Sequence, residues 1–401
     1  MNKNTFFNHN SLCPLPWNGI FVNPDGKIKN CAISRQSLGD INQQPLQDIV
    51  DNHINREIRS DMLNNIKHKR CNACYLVEEN ASLKNNNESN RTWYKKIAIK
   101  HANMSIFDSV KNFEPVVLDL RWQNTCNYAC VYCGPDLSSK WESLINEDQI
   151  DINLPALVQS KKYIFDNLAT VKHVYLAGGE PLLMKDNAVL LNQLYQINPD
   201  AEVRINSNIS VLSGPVFEQL QNFKKVKWTI SVDSNHNIFE YMRWPGKWDQ
   251  FINNALTIKE LVGDQINFNM VWCVLNGSNI LDTIDELLDQ GFHENMFIVQ
   301  CLTDPAPLSI LNLPKQHLED LKVKINYRKN QANPEWWLYK SLDSMYNFLN
   351  NESSLLTNGD LLKSEKENLS STVDFLTTID QQRNTSSRNV FKELYKIYDL
   401  Y

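Results

Sequence analysis

Three cysteines within eight positions, Cys126, Cys130 and Cys133 in the run Cys-Asn-Tyr-Ala-Cys-Val-Tyr-Cys, put three thiols on one short loop. Thiolates at such close spacing hold iron–sulfur clusters. With three protein ligands, the fourth metal corner of a cubane stays open for another molecule to coordinate. The same residues also suit a zinc ion that borrows a fourth ligand, such as a histidine, from elsewhere, or three buried free thiols. A second set lies upstream: Cys13, Cys31 and the pair Cys71-Asn-Ala-Cys74. Four cysteines make a complete ligand shell, and by spacing alone a closed shell of four thiolates reads as structural zinc. The last two cysteines, Cys273 and Cys301, fall in strand-like runs, where a cysteine is most often a small buried hydrophobe. His173 and His236 are read as structural histidines ahead of ligands or bases.

The elements that must position these residues follow from hydrophobic patterning. Short β-rich runs at 116–122, 171–177, 202–207, 227–232, 266–275 and 296–302 alternate with longer helix-compatible segments. Such alternation implies βαβ units on a parallel sheet. Six units are too few for a closed eight-stranded barrel and suit a partial one. In α/β architectures the active site gathers at the carboxyl ends of the strands. The three-cysteine loop and the later polar motifs all follow strands, which is the first functional clue. Residues 10–80 carry four cysteines and turn signals such as Asn23-Pro-Asp-Gly26, and read as a small loop-rich module. The polar stretch Leu83–Asn90 has little to bury and reads as a surface connection. The last ninety or so residues, with helical apolar spacing over Val373–Ile379, read as packing helices.

Composition sets outer limits. The chain has 401 residues, 42% apolar and 21% charged, enough for one large domain with smaller appendages. A net charge of −6 argues against nucleic-acid binding, which shows a clustered basic excess. The N-terminus lacks an apolar signal core, and no run approaches the roughly 18 apolar residues of a membrane helix. A soluble cytoplasmic protein with no membrane partner is expected. Seven of nine cysteines in two sets, in a reducing compartment, suggest metal or cluster ligation before disulfides.

The loop CNYACVYC resembles the Cys-x3-Cys-x2-Cys signature of the radical S-adenosylmethionine (radical SAM) superfamily, including the aromatic Tyr132 before the third cysteine. Gly178-Gly179-Glu180-Pro181, after the second β-rich run, resembles that family's GGEP motif. The resemblance implies a four-iron, four-sulfur cluster on Cys126, Cys130 and Cys133, with SAM chelating the open iron. It further implies reductive cleavage of SAM to a 5′-deoxyadenosyl radical that abstracts a hydrogen atom from a substrate. Gly178, Gly179 and Glu180 are then expected at the SAM amino group, Ser207 and Asn208 at its ribose, and Ser231 and Arg243 at its carboxylate. A guanidinium fork suits two carboxylate oxygens. In such an enzyme Cys301, near the end of its strand, is a candidate hydrogen-atom donor to a substrate radical.

The N-terminal cysteine set, with Gly26-x4-Cys31, Leu38-Gly-Asp-Ile41, Leu46-Gln-Asp-Ile49, Ile58-Arg59 and Cys71-x2-Cys74, resembles the SPASM and twitch auxiliary-cluster modules of that family. One four-cysteine set implies the twitch form and a second four-iron, four-sulfur cluster on Cys13, Cys31, Cys71 and Cys74, with zinc as the alternative. Here the module precedes the barrel, whereas the usual order places it after. The expected organisation is a twitch-like module at 1–85, a linker at 86–115, a partial (β/α)6 TIM-type barrel at 116–305 and a helical extension at 306–401. The resemblance implies a flavodoxin or ferredoxin as electron donor. The expected substrate is a peptide that is cross-linked, oxidised or epimerised, with a small molecule as the alternative. A non-enzymatic zinc-stapled protein is the reading from outside the family.

Overall fold

A computed structural model of the chain describes residues 1–79, 89–145, 154–350 and 364–400. Residues 83–88 of the expected surface connection, and the expected boundary at 85/86, lie outside the described residues. The chain divides into two compact units.

The first unit comprises Met1–Thr125, Asp148–Asn206 and Ser213–Lys227. It carries β1 (Gly19–Val22), β2 (Lys27–Lys29), β3 (Gly39–Asp40), β4 (Val117–Leu120), β5 (His173–Leu176) and most of β6 (Glu202–Ser207). Strands β1, β4, β5 and β6 run parallel in that order, with Gly19 opposite Val117, Val117 opposite His173, and His173 opposite Glu202. β2 and β3 extend the edge beyond β1 in antiparallel pairing. The Asn23–Gly26 turn joins β1 to β2; Gly26 takes φ +80°, which suits glycine, and its amide donates to Asn23 O at 2.9 Å.

Within the module at 10–80, β1 adds directly to the parallel strand β4, so these residues and the first barrel strands fall in one compact unit. The stretch expected as a linker departs from expectation: Asn90–His101 is a helix, capped by the Ser89 side chain on Thr92 N, and it buries Arg91, Lys95 and Ala98. Its charged surface hid this from hydrophobic periodicity, because Arg91 and Lys95 are buried through carbonyls and a carboxylate. Arg59 does similar work. Fully buried, it donates to Pro16 O at 2.7 and 2.9 Å, Val50 O at 2.7 Å and Val110 O at 2.8 Å, tying two short helices and a turn together.

The second unit comprises Cys126–Glu147, Ser207–Leu212 and Trp228–Tyr401. It holds most of β7 (Val226–Ser231), with β8 (Ile266–Trp272) and β9 (Phe297–Cys301), all parallel. β8 alternates buried and half-buried positions along its whole length. Helices Trp248–Val262 and Asn279–Asp289 connect the strands, and Lys315–Lys329, Trp337–Asn350, Glu365–Arg383 and Lys392–Asp399 follow them. Ser364 and Glu367 form a reciprocal capping box at the start of the Glu365–Arg383 helix. The core of this unit joins Ala129, Val131 and Trp141 from the cysteine loop and its following helix to Leu369, Leu376 and Ile379. The fold is mixed α/β with parallel strands and a helical C-terminus, and the six β-rich runs expected for a partial barrel are β4 to β9 within a residue or three at each end.

Candidate functional site

The three-cysteine loop leaves β4 and is held by its own unit through backbone pairs. Ala129 N donates to Trp244 O and Val131 N to Met242 O, both at 2.8 Å. Trp141 Nε1 donates to Cys130 O at 2.9 Å, and Ser138 Oγ to Tyr128 O at 2.5 Å. The Ser139 hydroxyl bridges both backbone groups of Cys126, accepting from its amide at 3.1 Å and donating to its carbonyl at 3.2 Å. The loop is thus fixed by its main chain. Cys126 Sγ accepts from Tyr128 N at 3.5 Å. Burial raises the pKa of the Cys130 and Cys133 thiols, with Arg243 pulling both the other way.

Next to this loop lies a charged network. Asp233 is fully buried; its Oδ2 is 2.9 Å from Arg243 Nε and accepts Tyr132 OH at 2.6 Å, while Oδ1 accepts Val271 N at 2.7 Å. Arg243, expected at a SAM carboxylate, is therefore seated on a carboxylate of the chain itself. Burial works against its charge, yet Asp233 and Tyr132 hold its pKa above the usual arginine value. Tyr132 is likewise spoken for by Asp233. Ser231 closes β7 opposite Asn269. A second polar knot binds the loop to the segment after β6: Asn208 Nδ2 donates to Asn127 Oδ1 at 3.1 Å, and Asn127 Nδ2 to Ser210 Oγ at 2.9 Å. Ser207 Oγ accepts Ile209 N at 2.9 Å. Sequence reading named Ser207 and Asn208 but missed Asn127 and Ser210; the signal available was a run of short polar residues after a strand.

Gly178, Gly179 and Glu180 sit in the first unit against the exit of β4. A Cβ on Gly179 would stand 2.3 Å from Thr125 O and 2.6 Å from Asn124 O, and Gly178 takes φ +108°. The glycine pair is thus required by approach to the 123–125 backbone. Glu180 N donates to Thr125 O at 2.7 Å, and buried Glu180 caps Leu182 N at 3.1 Å.

The four N-terminal cysteines line one pocket in the first unit, with Asn30 and Arg91. Backbone amides point at the sulfurs: Leu15 at Cys13, Ile33 and Ser34 at Cys31, and Asn90 and Arg91 at Cys74. Burial pushes the Cys31 thiol up to about 11 and Cys71 up to about 12. Arg91 braces the pocket by donating to His9 O and Leu12 O at 3.1 Å and pairing with Glu78.

Tetrahedral zinc, with zinc–sulfur bonds of about 2.3 Å, draws its thiolates to roughly 3.8 Å of each other. Among the described residues, the one group of three His, Cys, Asp or Glu ligand atoms all within 4.8 Å of one another is Glu57, Asp61 and His68. Neither cysteine set is gathered that tightly. In a cubane the cysteines bind different irons and stand wider than around a single ion. The Glu57 group is no metal site on this chemistry. His68 Nδ1 accepts Arg70 N at 3.2 Å, so Nε2 carries the ring proton toward carboxylates at 3.9 and 4.0 Å.

Of the remaining residues, Cys273 is fully buried and Cys301 half-buried at the end of β9, and burial raises both thiols to about 12. His173 is buried beside Trp93 and 3.6 Å from Glu202, and His236 lies 3.2 Å from Glu286; both serve structural contacts.

Comparison with known proteins agrees with this geometry. Residues 120–294 match the radical SAM superfamily, and residues 13–75 match the SPASM iron–sulfur cluster-binding domain. Among curated relatives, the GTP 3',8-cyclase of Nautilia profundicola is 31% identical over 86 residues, 21% of this chain and 24% of that protein. The GTP 3',8-cyclase of Sulfurimonas denitrificans is 20% identical over 226 residues, 52% of this chain and 66% of that protein. The chain thus spans between about a quarter and two thirds of the length of these relatives. Among solved structures, Streptococcus suis SuiB bound to precursor peptide SuiA is similar at 17% identity with a TM-score of 0.40, covering 79% of this chain and 68% of that one. Native anSMEcpe with bound AdoMet is similar at 15% identity with a TM-score of 0.39, covering 54% and 61%. The radical SAM domain implies a four-iron, four-sulfur cluster and SAM, and the SPASM domain implies auxiliary iron–sulfur ligation. With a three-cysteine loop after β4 and a four-cysteine module ahead of it, the chain carries a radical SAM superfamily domain preceded by an iron–sulfur cluster-binding domain.

Proposed function

We propose that this chain is a radical SAM enzyme acting on a peptide. Bound at Cys126, Cys130 and Cys133, a four-iron cluster with SAM supplies one-electron cleavage of SAM to a 5′-deoxyadenosyl radical that takes a hydrogen atom from the substrate. The observation that carries the reading is the three-cysteine loop itself, main-chain-anchored within the matched radical SAM domain. In this reading Ser231 and Arg243 bind the SAM carboxylate, with Asp233 orienting the guanidinium. Glu180 and the Gly178-Gly179 turn serve its amino group, and Ser207 and Asn208 its ribose. Cys13, Cys31, Cys71 and Cys74 hold the auxiliary cluster; with all four positions filled by protein, its role is electron transfer or bracing. Cys301 donates a hydrogen atom if the reaction is an epimerisation.

The peptide assignment rests on the SPASM match, since the family resemblance ties such modules to peptide modification. A small-molecule substrate is the second reading, favoured by relatives named GTP 3',8-cyclase. The enzyme works in the cytoplasm with a flavodoxin or ferredoxin as donor. Anaerobic protein with dithionite and SAM should release 5′-deoxyadenosine, and Cys126→Ala, Cys130→Ala and Cys133→Ala should each abolish it. Deuterium moving into 5′-deoxyadenosine from a labelled short peptide supports the peptide reading, and from labelled GTP the small-molecule reading. No SAM cleavage by iron-loaded protein defeats both.

A further inference from the structure

The helix Glu365–Arg383 ends on a guanidinium that makes no ion pair within 4 Å among the described residues. Arg383 is 4% exposed; Nη1 donates to Tyr241 O at 3.0 Å, while Nε and Nη2 are buried without a hydrogen-bond partner. Asp380, one turn earlier, is committed elsewhere. Its Oδ1 accepts the hydroxyls of Tyr241 at 2.9 Å and Thr385 at 2.8 Å, and its Oδ2 accepts the amide and hydroxyl of Ser387 at 2.7 and 2.6 Å. What Arg383 does face is the cysteine loop. Its guanidinium carbon lies 4.7 Å from the centre of the Trp141 ring, and Trp141 Nε1 is bonded to Cys130 O at 2.9 Å. One indole therefore stands between this charge and the backbone of the cluster ligands. Burial lowers the Arg383 pKa to about 10, which leaves it cationic at neutral pH, and Tyr241, Cys130, Asp380 and Cys133 act on it as negative neighbours.

A core that keeps an unpaired guanidinium is costly unless an anion faces it. The other cation beside the loop, Arg243, already has Asp233. A cubane on three thiolates is anionic and gains a further negative charge on reduction, and net charge and hydrogen bonding set the potentials of such clusters. We infer that Arg383, delivered by the C-terminal helix, is the counter-charge of the three-cysteine cluster and makes that cluster easier to reduce. The inference rests on the cluster proposed above. The electron comes from a one-electron donor of the flavodoxin or ferredoxin class, and no bond forms or breaks at Arg383. It also gives the C-terminal extension, silent in sequence, a part in the chemistry.

The test uses the full chain and the variants Arg383→Met and Arg383→Lys. In iron-stripped protein, Arg383→Met should melt at a higher temperature than the unsubstituted chain, because it removes a buried charge whose Nε and Nη2 are then unsatisfied. In iron-loaded protein, potentiometric titration of the SAM-responsive electron paramagnetic resonance (EPR) signal should show the reduced-to-oxidised ratio at fixed potential falling at least tenfold in Arg383→Met. For a one-electron couple that is a midpoint about 59 mV more negative, and Arg383→Lys should recover most of it. An iron-stripped Arg383→Met that melts lower or does not fold, or a midpoint that does not move, overturns the inference. An unsubstituted chain without any SAM-responsive signal instead defeats the proposed function, and that is read before any variant is compared.

Discussion

Replacing Gly179 by alanine tests how the loop is anchored at the exit of β4. The added Cβ would sit 2.3 Å from Thr125 O and 2.6 Å from Asn124 O, against an ordinary carbon–oxygen approach of about 3.3 Å. Both obstacles are backbone, so no side chain can swing aside, and relief requires moving either the 178–180 turn or the 124–125 segment. Overpacking of this kind costs roughly 1–3 kcal/mol. Moving the turn also stretches the 2.7 Å bond from Glu180 N to Thr125 O, which adds about 1 kcal/mol. The expected loss is therefore about 2–4 kcal/mol. Gly277 is the control, since a Cβ there meets nothing within 4 Å, and Gly277→Ala should stay within about 0.5 kcal/mol of the unsubstituted chain. Urea unfolding of the anaerobically purified proteins, followed by tryptophan fluorescence, measures both. Because Thr125 directly precedes Cys126, Gly179→Ala should also retain less iron. Equal unfolding midpoints for the two variants would refute the packing account of the glycine pair.

Other outcomes follow from the same geometry. Asp233→Asn strands the buried Arg243 charge and should cost about 3–5 kcal/mol, whereas the double variant Asp233→Leu with Arg243→Met should cost less than the single one; strictly additive losses in the urea cycle would contradict this. His173 is buried and neutral, with a pKa lowered to about 4, so its unfolded form binds the extra proton first. Stability is fully present above about pH 6.5 and falls on acidification toward pH 4, by about 3 kcal/mol for this group alone. His173→Gln should flatten that part of the pH–stability curve, and an unchanged slope would assign it to other groups. Cys74→Ser should lower bound iron to about half while leaving the SAM-responsive signal in place, as measured by iron assay with EPR; loss of both would mean that the two sets do not load separately.

The parallel strands were legible because their runs are apolar and bounded by turns: β6 was placed at both ends, and β4, β5, β7, β8 and β9 within one to three residues. The cysteine sets were legible because ligand spacing is local. Harder to see was β1, a four-residue strand whose partner lies about a hundred residues on; nothing in Gly19–Val22 marks which strand it joins. Buried charge was harder still. Arg91 and Arg383 look like solvated residues in sequence, and only tertiary packing shows the carbonyls, carboxylate or rings that receive them. The GGEP-like turn was read as a motif for a cofactor, but its glycines also answer a packing need that sequence alone does not show.

The central claim is that Cys126, Cys130 and Cys133 hold a four-iron cluster with one iron left for SAM. Its most direct test is the EPR spectrum of the dithionite-reduced, iron-loaded chain with and without SAM, beside the Cys130→Ala variant. A cluster signal that changes shape on adding SAM, and a SAM response that disappears in Cys130→Ala while the second cluster's signal stays, is the predicted result. A chain that takes up zinc in place of iron, or a signal indifferent to SAM, would contradict it.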